Sequence, residues 1–204
     1  MPAKMTGAAE QPHIAEEDLL RARLYRLLAR FLARAPERED LALAASMSGD
    51  QSELGDAIQT FSNIAARQSS DKVTQEYHDL FIGLGRGELL PYGSYYLTGF
   101  LHEKPLALLR RDMAALGIAG AESSSEPEDH IAALMEMMAG LIDGSFGGVA
   151  DIGTQKKFYN DHIGSWAKHF FRDLEGAKSS VLYATLGRVG RVFMDIEEVA
   201  FSMD

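Results

Sequence analysis

Apolar residues recur along most of the chain at the spacing of one face of an α-helix. The first such segment, residues 16–34, opens with three acidic residues, which suit a helix N-terminus, and Pro36 follows its end. Similar spacing predicts further helices over residues 38–47, 53–67, 70–84, 105–117, 127–143, 158–170 and 178–202. No segment alternates apolar and polar residues over the length of a strand, so the predicted fold class is all-α.

Two stretches without periodicity divide the chain. Residues 1–14 carry scattered proline and glycine and are expected to form a disordered tail. Residues 119–126, AGAESSSE, are small and polar and are expected to be a hinge linker. This predicts an N-terminal helical half over 15–118 and a C-terminal helical half over 127–204.

The start of the C-terminal half contains the most unusual residues of the sequence. Ser125 and Glu128 have the spacing of a capping box, and Pro127 suits the first helical position. Asp129 and His130 are then expected in the first turn of an otherwise apolar helix. The dipole favours Asp129 there and disfavours a protonated His130, so a helix cap and a binding site both remain open interpretations.

Composition removes several classes of function. The chain has no cysteine, which excludes disulfides, thiolate catalysis and cysteine-ligated metal sites. Its formal net charge of -10 disfavours nucleic acid as a partner. No apolar run approaches the ~20 residues that cross a bilayer, and the first residues do not resemble a secretory signal. A cytosolic protein without stable membrane insertion is expected.

The histidines do not form a recognisable metal or catalytic motif. The spacing Glu-x-x-His occurs only at Glu10 to His13, within the expected tail, and His-Glu-x-x-His is absent. His162 and His169 are about two helical turns apart beside aromatic residues and are interpreted as packing histidines. No catalytic residue, metal or cofactor is therefore predicted.

A glycine-rich stretch, GLGRGE, follows the fourth predicted helix. It lacks the Lys-Ser/Thr of a phosphate-binding loop, so Gly83, Gly85 and Gly87 are expected to provide positive φ and close backbone approach in a turn. Contact of their amides with a nucleotide phosphate remains an alternative. The tyrosines that follow, among them Tyr92 and Tyr95, suit either a core or the wall of a peptide-binding groove.

Several motifs together resemble the TorD/DmsD/NarJ superfamily, the cytosolic redox-enzyme maturation chaperones of molybdoenzymes. They are YHDLF at 77–81, the glycine stretch, PYGSYY at 91–96, LRRDM at 109–113 and above all EPEDH at 126–130. The similarity is strong over residues 77–141 and looser toward the C-terminus. Many relatives carry Glu where this chain has Gly93, which removes a charge from the expected groove.

The resemblance implies an all-helical fold of two halves joined by a hinge, and a chaperone rather than an enzyme. The implied client is the catalytic subunit of a molybdopterin-containing oxidoreductase, bound at its leader or N-terminal segment until cofactor insertion is complete. For a twin-arginine substrate, binding would delay export. The implied client-binding residues are Tyr92, Ser94, Tyr95, Glu126, Pro127, Asp129 and His130.

The resemblance also bears on the client and the competing functions. PYGSYYLTGFLHEKPL resembles the branch associated with formate dehydrogenase more than the trimethylamine-oxide branch. The alternatives are a GTP-binding regulator that uses the glycine stretch and a plain structural all-α protein. The hinge predicts a monomer beside a minor domain-swapped dimer.

Overall fold

The computed structural model describes residues 14–120 and 126–203, and within these ranges the chain is helical without strands. The helices are α1 (Glu16–Ala33), α2 (Arg38–Ala45), α3 (Glu53–Ala65), α4 (Ser70–Tyr77), α5 (Gly93–Thr98), α6 (Lys104–Ala115), α7 (Ile131–Asp143), α8 (Ile152–His162), α9 (Ala167–Glu175) and α10 (Leu182–Met203). The all-α prediction is confirmed. The expected tail, apart from Ile14, and linker residues 121–125 lie outside the described residues.

Helix α1 and helix α7 form the most extensive helix pair, and α10 packs against both α9 and α3. The buried apolar side chains of these helices join into one core, which includes Phe31 of α1, Met138 of α7 and Phe193 of α10. The core therefore crosses the proposed boundary between the halves. Whether 15–118 and 127–204 are separate units stays a prediction.

A buried carboxylate joins the first helix to the last. Glu197 of α10 is fully buried and accepts hydrogen bonds from the Arg21 guanidinium at 2.7 and 2.8 Å and from the Tyr25 hydroxyl at 2.8 Å. A buried charge is stable only when it is paired and hydrogen-bonded, as Glu197 is. This cluster fixes α1, which forms one side of the site described below.

The helix predicted over 70–84 changes its hydrogen bonding before its end. After α4, residues His78–Ile82 form a π-helical segment, and the turn that follows has positive φ at Gly83 and Gly85. A Cβ at Gly87 would lie 2.4 Å from the Leu80 carbonyl oxygen. The interpretation of these glycines as turn and close-approach residues is confirmed.

The helix predicted over 158–170 is wrong as a single element. Helix α8 ends at His162 and α9 begins at Ala167. Between them, the indole N–H of Trp166 donates to the carbonyl of His162 at 2.8 Å, which satisfies one of the carbonyls that a helix end leaves unpaired. His162 is buried, but His169 is exposed, so only one of the two expected packing histidines packs.

Other helix limits differ by a few residues. The last helix begins at Leu182 rather than 178, and Pro105 is the second residue of α6 rather than the first. More important for the site, α7 begins at Ile131 with His130 as its N-cap. The prediction that Pro127 opens this helix and that Asp129 and His130 occupy its first turn is wrong, and Ser125 of the predicted capping box lies outside the described residues.

Candidate functional site

The segment before α5 and the segment before α7 lie side by side in antiparallel orientation. The Ile131 amide donates to the Pro91 carbonyl at 2.8 Å, and the Gly93 amide donates to the Asp129 carbonyl at 2.9 Å. These long-range bonds hold His130 in an extended conformation after a turn at residues 128 and 129, which delays the start of α7. Two of the motifs that carry the family resemblance are thereby brought into contact.

His130 has a defined protonation state in this junction. Its Nδ1 accepts the Ala132 amide at 3.1 Å, as an N-cap does, so the ring proton resides on Nε2. Burial lowers the pKa of His130 to about 4, although Glu126 and Asp129 act in the opposite direction. At neutral pH the uncharged ring therefore has an Nε2–H donor, and no described residue accepts a hydrogen bond from it.

Tyr92 connects this histidine to the glutamate of the motif. The Tyr92 ring packs edge-on against His130 with ring centroids 5.2 Å apart, and its hydroxyl donates to Glu126. Burial, followed by the hydrogen bond to Glu126, raises the pKa of Tyr92 well above its usual value. The hydroxyl thus remains protonated and keeps the exposed Glu126 carboxylate near His130.

Asp129 and Ser94 are buried behind this surface. Asp129 is 3% exposed and Ser94 is fully buried. The Ser94 amide donates to Asp129 Oδ2 at 2.7 Å, so the carboxylate caps α5 rather than the helix that follows it in sequence. Gly93 lies in the same layer, and a Cβ there would be 3.1 Å from Trp166 Nε1. A larger residue at 93 would require Trp166 to shift.

An open groove of about 430 Å³ lies between α1 and the start of α7. It is lined by Arg26, Ala29, Arg30, Ala33, Glu126, Pro127, His130, Ala132, Ala133 and Glu136. Small side chains form its floor, arginines of α1 lie on one side and glutamates on the other. Three predicted site residues, Glu126, Pro127 and His130, line it directly.

The groove residues of α1 were not predicted as site residues. Arg30 uses its Nε to bond the buried Asp40 of α2, and Arg26 bonds Asp143 and, at 2.6 Å, Ser145. These carboxylates orient the two guanidinium groups. The only sequence signal was a pair of arginines four residues apart at the edge of an apolar stripe, which does not indicate the helix that faces them.

Tyr95 does not line the groove. Its hydroxyl accepts a hydrogen bond from Arg86 at 2.7 Å, and the Arg86 guanidinium carbon lies 5.4 Å from the centroid of its ring. Arg86 belongs to the glycine-rich turn, so this turn packs against α5. The neighbouring Glu88 accepts backbone and hydroxyl hydrogen bonds from Ser179 at 3.3 and 2.5 Å. Nucleotide contact by Gly83, Gly85 and Gly87 stays an untested alternative.

A second cluster of ionisable groups joins α6 to α8. Asp112, Asp161 and His162 place potential ligand atoms within 4.8 Å of one another. His162 Nε2 lies 3.0 Å from Asp112, and Lys157 pairs with Asp161. Burial lowers the pKa of His162, although Asp112 opposes the shift. The contact between His162 and Asp112 joins the predicted halves, and the expectation of no metal stays a prediction.

Comparison with known proteins identifies the class. A family model described as "Nitrate reductase delta subunit" matches residues 47–172. The chain belongs to this family, the TorD/DmsD/NarJ superfamily, and is a chaperone for redox-enzyme maturation. None of the described helices is long and apolar enough to cross a membrane.

Individual relatives agree with this assignment. The chain is 25% identical over 174 residues to chaperone protein TorD of Vibrio cholerae serotype O1 (strain ATCC 39315 / El Tor Inaba N16961), covering 80% of this chain and 79% of the relative. It is 30% identical over 116 residues to DmsD of Haemophilus influenzae, described as a Tat proofreading chaperone, covering 56% and 54% of the two chains. These relatives are named chaperones, which supports the expectation that the chain is not an enzyme.

The fold also matches a solved structure. The crystal structure of a redox enzyme maturation protein from Archaeoglobus fulgidus aligns with a TM-score of 0.58 at 20% identity. The alignment covers 91% of this chain and 99% of the other. This likeness supports the expected all-helical fold of the family.

Proposed function

We propose that the groove between α1 and α7 binds the leader or N-terminal segment of a molybdopterin-containing oxidoreductase. The chaperone holds this segment in the cytosol while the cofactor is inserted and, when the client is a twin-arginine substrate, delays export. The observation that carries the proposal is that Glu126, Pro127 and His130, the core of the family motif, line one open groove. No chemistry on the client is required.

The lining of the groove suits an amphipathic peptide. Ala29 and Ala132 belong to a floor of small side chains against which apolar residues of a client can pack. The exposed Glu126 and Glu136 lie beside it and can pair with basic residues, although Glu136 already forms an exposed ion pair with Arg26 at 3.7 Å. The net charge of -10 extends this attraction over the molecule and should speed encounter with a basic leader.

His130 adds a specific contact. Its imidazole is uncharged at neutral pH, and His130 belongs to the lining of the groove; Nε2–H has no hydrogen-bond partner among the described residues. A backbone carbonyl or polar side chain of the client can accept from it. Tyr92 supports the contact from behind through its packing on the imidazole.

The remaining residues of the proposed site have a supporting role. They are Ser94, Tyr95 and Asp129, which lie on or beside α5 and hold in place the segment that carries Tyr92. The resemblance to the formate dehydrogenase branch further suggests a formate dehydrogenase as the client.

Blocking the groove tests the proposal. Ala33 lines the groove and is exposed, so Ala33→Trp should fill the groove without disturbing the core. We expect the dissociation constant for an N-terminal peptide of a formate dehydrogenase catalytic subunit to rise by about tenfold or more, a loss of ~1.4 kcal/mol. Peptides from other molybdopterin oxidoreductases, titrated in parallel by fluorescence anisotropy, test the choice of client.

A matched control separates groove blocking from a general effect of tryptophan. Ala107 is an exposed alanine of α6 and does not line the groove. Ala107→Trp should bind the peptide as the parent does, and both variants should keep the parent melting temperature. Equal affinity of the folded Ala33→Trp variant and the parent would exclude the groove as the binding site.

A further inference from the structure

Asp129 is the residue of the family motif that is least accessible to a client. Only 3% of it is exposed, and Oδ2 is occupied by the Ser94 amide at 2.7 Å. Its carbonyl accepts the Gly93 amide at 2.9 Å. Asp129 thus binds two successive amides at the start of α5, which otherwise has no side-chain cap. A client arginine could reach this carboxylate only if the junction opened.

The same contacts set the position of the residues that do face the groove. Tyr92 immediately precedes the two amides that Asp129 binds, and His130 immediately follows Asp129. The Tyr92 ring and the His130 ring pack edge-on at 5.2 Å. Releasing the start of α5 would therefore let the Tyr92–His130 pair separate.

Two unpaired atoms show that the carboxylate is not fully satisfied. Asp129 Oδ1 and Ser94 Oγ are buried, and neither has a hydrogen-bond partner within residues 14–120 and 126–203. Leaving a buried polar atom unpaired is costly, so a residue selected for stability alone would be expected to satisfy both oxygens. The unpaired Oδ1 offsets part of the stability that the Oδ2 cap provides, which is consistent with a role in positioning.

We propose that Asp129 is a positioning residue: by capping α5 across the junction it holds Tyr92 against His130 in the client-binding conformation and does not itself contact the client. The inference rests on the proposed function of the groove. It differs from direct client contact by Asp129, which would take the form of an ion pair with a leader arginine. The role requires an acceptor oxygen at Oδ2, whereas a direct ion pair requires the negative charge.

Two substitutions at Asp129 separate these requirements. Asp129→Asn retains an oxygen that can accept the Ser94 amide but removes the charge, so we expect an affinity for the client peptide within about threefold of the parent. Asp129→Ala removes the acceptor and should weaken binding about tenfold or more.

A coupling measurement distinguishes positioning from a general loss of stability. If Asp129 acts through Tyr92, adding Tyr92→Ala to the Asp129→Ala variant should cause little further loss of affinity, whereas independent effects would multiply. Amide hydrogen exchange at Ser94 should accelerate in Asp129→Ala and stay near the parent rate in Asp129→Asn.

Each result has a defined meaning. A tenfold or larger loss of affinity in a folded Asp129→Asn variant contradicts positioning and favours the ion pair, even if Asp129→Ala does not fold. Multiplying losses in the double variant also contradict it. Failure of the parent to bind any molybdopterin oxidoreductase peptide would instead refute the proposed function, so the two failures are distinguishable.

Discussion

At the scale of single residues, the site combines groups that face the groove with groups that hold them in place. His130 belongs to both sets, since Nδ1 caps α7 and the residue also lines the groove. Its burial keeps the imidazole neutral and makes its protonation unfavourable in the folded state. The folded protein should therefore lose stability as the pH falls below the usual pKa of histidine.

The sign and size of this effect follow from the pKa values. An unfolded histidine titrates near ~6.5, and the folded His130 has a pKa of about 4. Above ~6.5 neither state binds the proton; between the two values only the unfolded state does, and unfolding is increasingly favoured. At ~1.36 kcal/mol per pH unit, His130 should lower the free energy of unfolding by roughly 3 kcal/mol by pH 4.

His130→Asn isolates this contribution. Asparagine is a good N-cap and can replace the Nδ1 contact, but it does not titrate. Glu126 and Asp129, the negative groups nearest the imidazole, are present in both proteins. Urea unfolding at pH 7, 5.5 and 4.5 should show a steeper loss of stability in the parent than in the variant. Parallel pH profiles would show that the buried imidazole does not oppose protonation.

The sequence motifs identified several residues of this site but not the contacts between residues that are distant in sequence. Tyr92, Glu126 and His130 belong to recognisable strings, and the structure places them together. The cap that Asp129 forms joins residues 129 and 94, and no local rule links positions so far apart in sequence. For the same reason, Arg30 of α1 could not be assigned to the groove.

At the scale of secondary structure, periodicity identified the helices and failed at their interruptions. Ile163, Trp166 and Phe170 continue the apolar pattern through the break between α8 and α9, so the spacing predicts one helix. The break is accompanied instead by a local side-chain contact, the hydrogen bond from the Trp166 indole to the His162 carbonyl, which the apolar spacing does not indicate. Similarly, α7 starts late because the amide of Ile131 bonds to Pro91.

The pairing of α9 with α10 depends on glycines that allow close approach. A Cβ at Gly187 would lie 2.4 Å from the Glu175 backbone nitrogen, and one at Gly190 would lie 2.2 Å from the buried Phe171 ring. Neither neighbour is the flexible end of a side chain. The two helices can therefore contact only if both positions lack a Cβ.

Gly187→Ala should therefore destabilise the fold despite the higher helix propensity of alanine. Overpacking of this kind costs ~1–3 kcal/mol, and the measurement is the urea midpoint of unfolding. Gly148→Ala is the control, because a Cβ there meets no atom within 4 Å. If both variants unfolded at the parent midpoint, α9 and α10 would not be in the close contact described here.

At the scale of the whole molecule, one core and several ion pairs cross the line between the predicted halves. Helix α7 packs on α1, Glu197 of α10 bonds Arg21 of α1, and His162 of α8 bonds Asp112 of α6. Each half supplies one side of these interfaces. The two halves can therefore form these interfaces within one chain or between two chains.

This complementarity, with the polar linker at 119–126, predicts a domain-swapped dimer as a minor species beside the monomer. In such a dimer α7 of one protomer would pack on α1 of the other, using the same contacts. Deleting three residues from the Ser-Ser-Ser-containing linker should hinder folding back within one chain and raise the dimer fraction. Size-exclusion chromatography with light scattering measures the ratio at several protein concentrations.

A lengthened linker provides the matched control, since inserting three Gly or Ser residues at the same place should favour the monomer. The opposite responses follow from loop closure, because the interface is the same in both species and only the connection differs. The helical circular dichroism spectrum should be equal in all three proteins. If deletion and insertion both left the monomer-to-dimer ratio of the parent unchanged, residues 119–126 would not be a hinge for exchange.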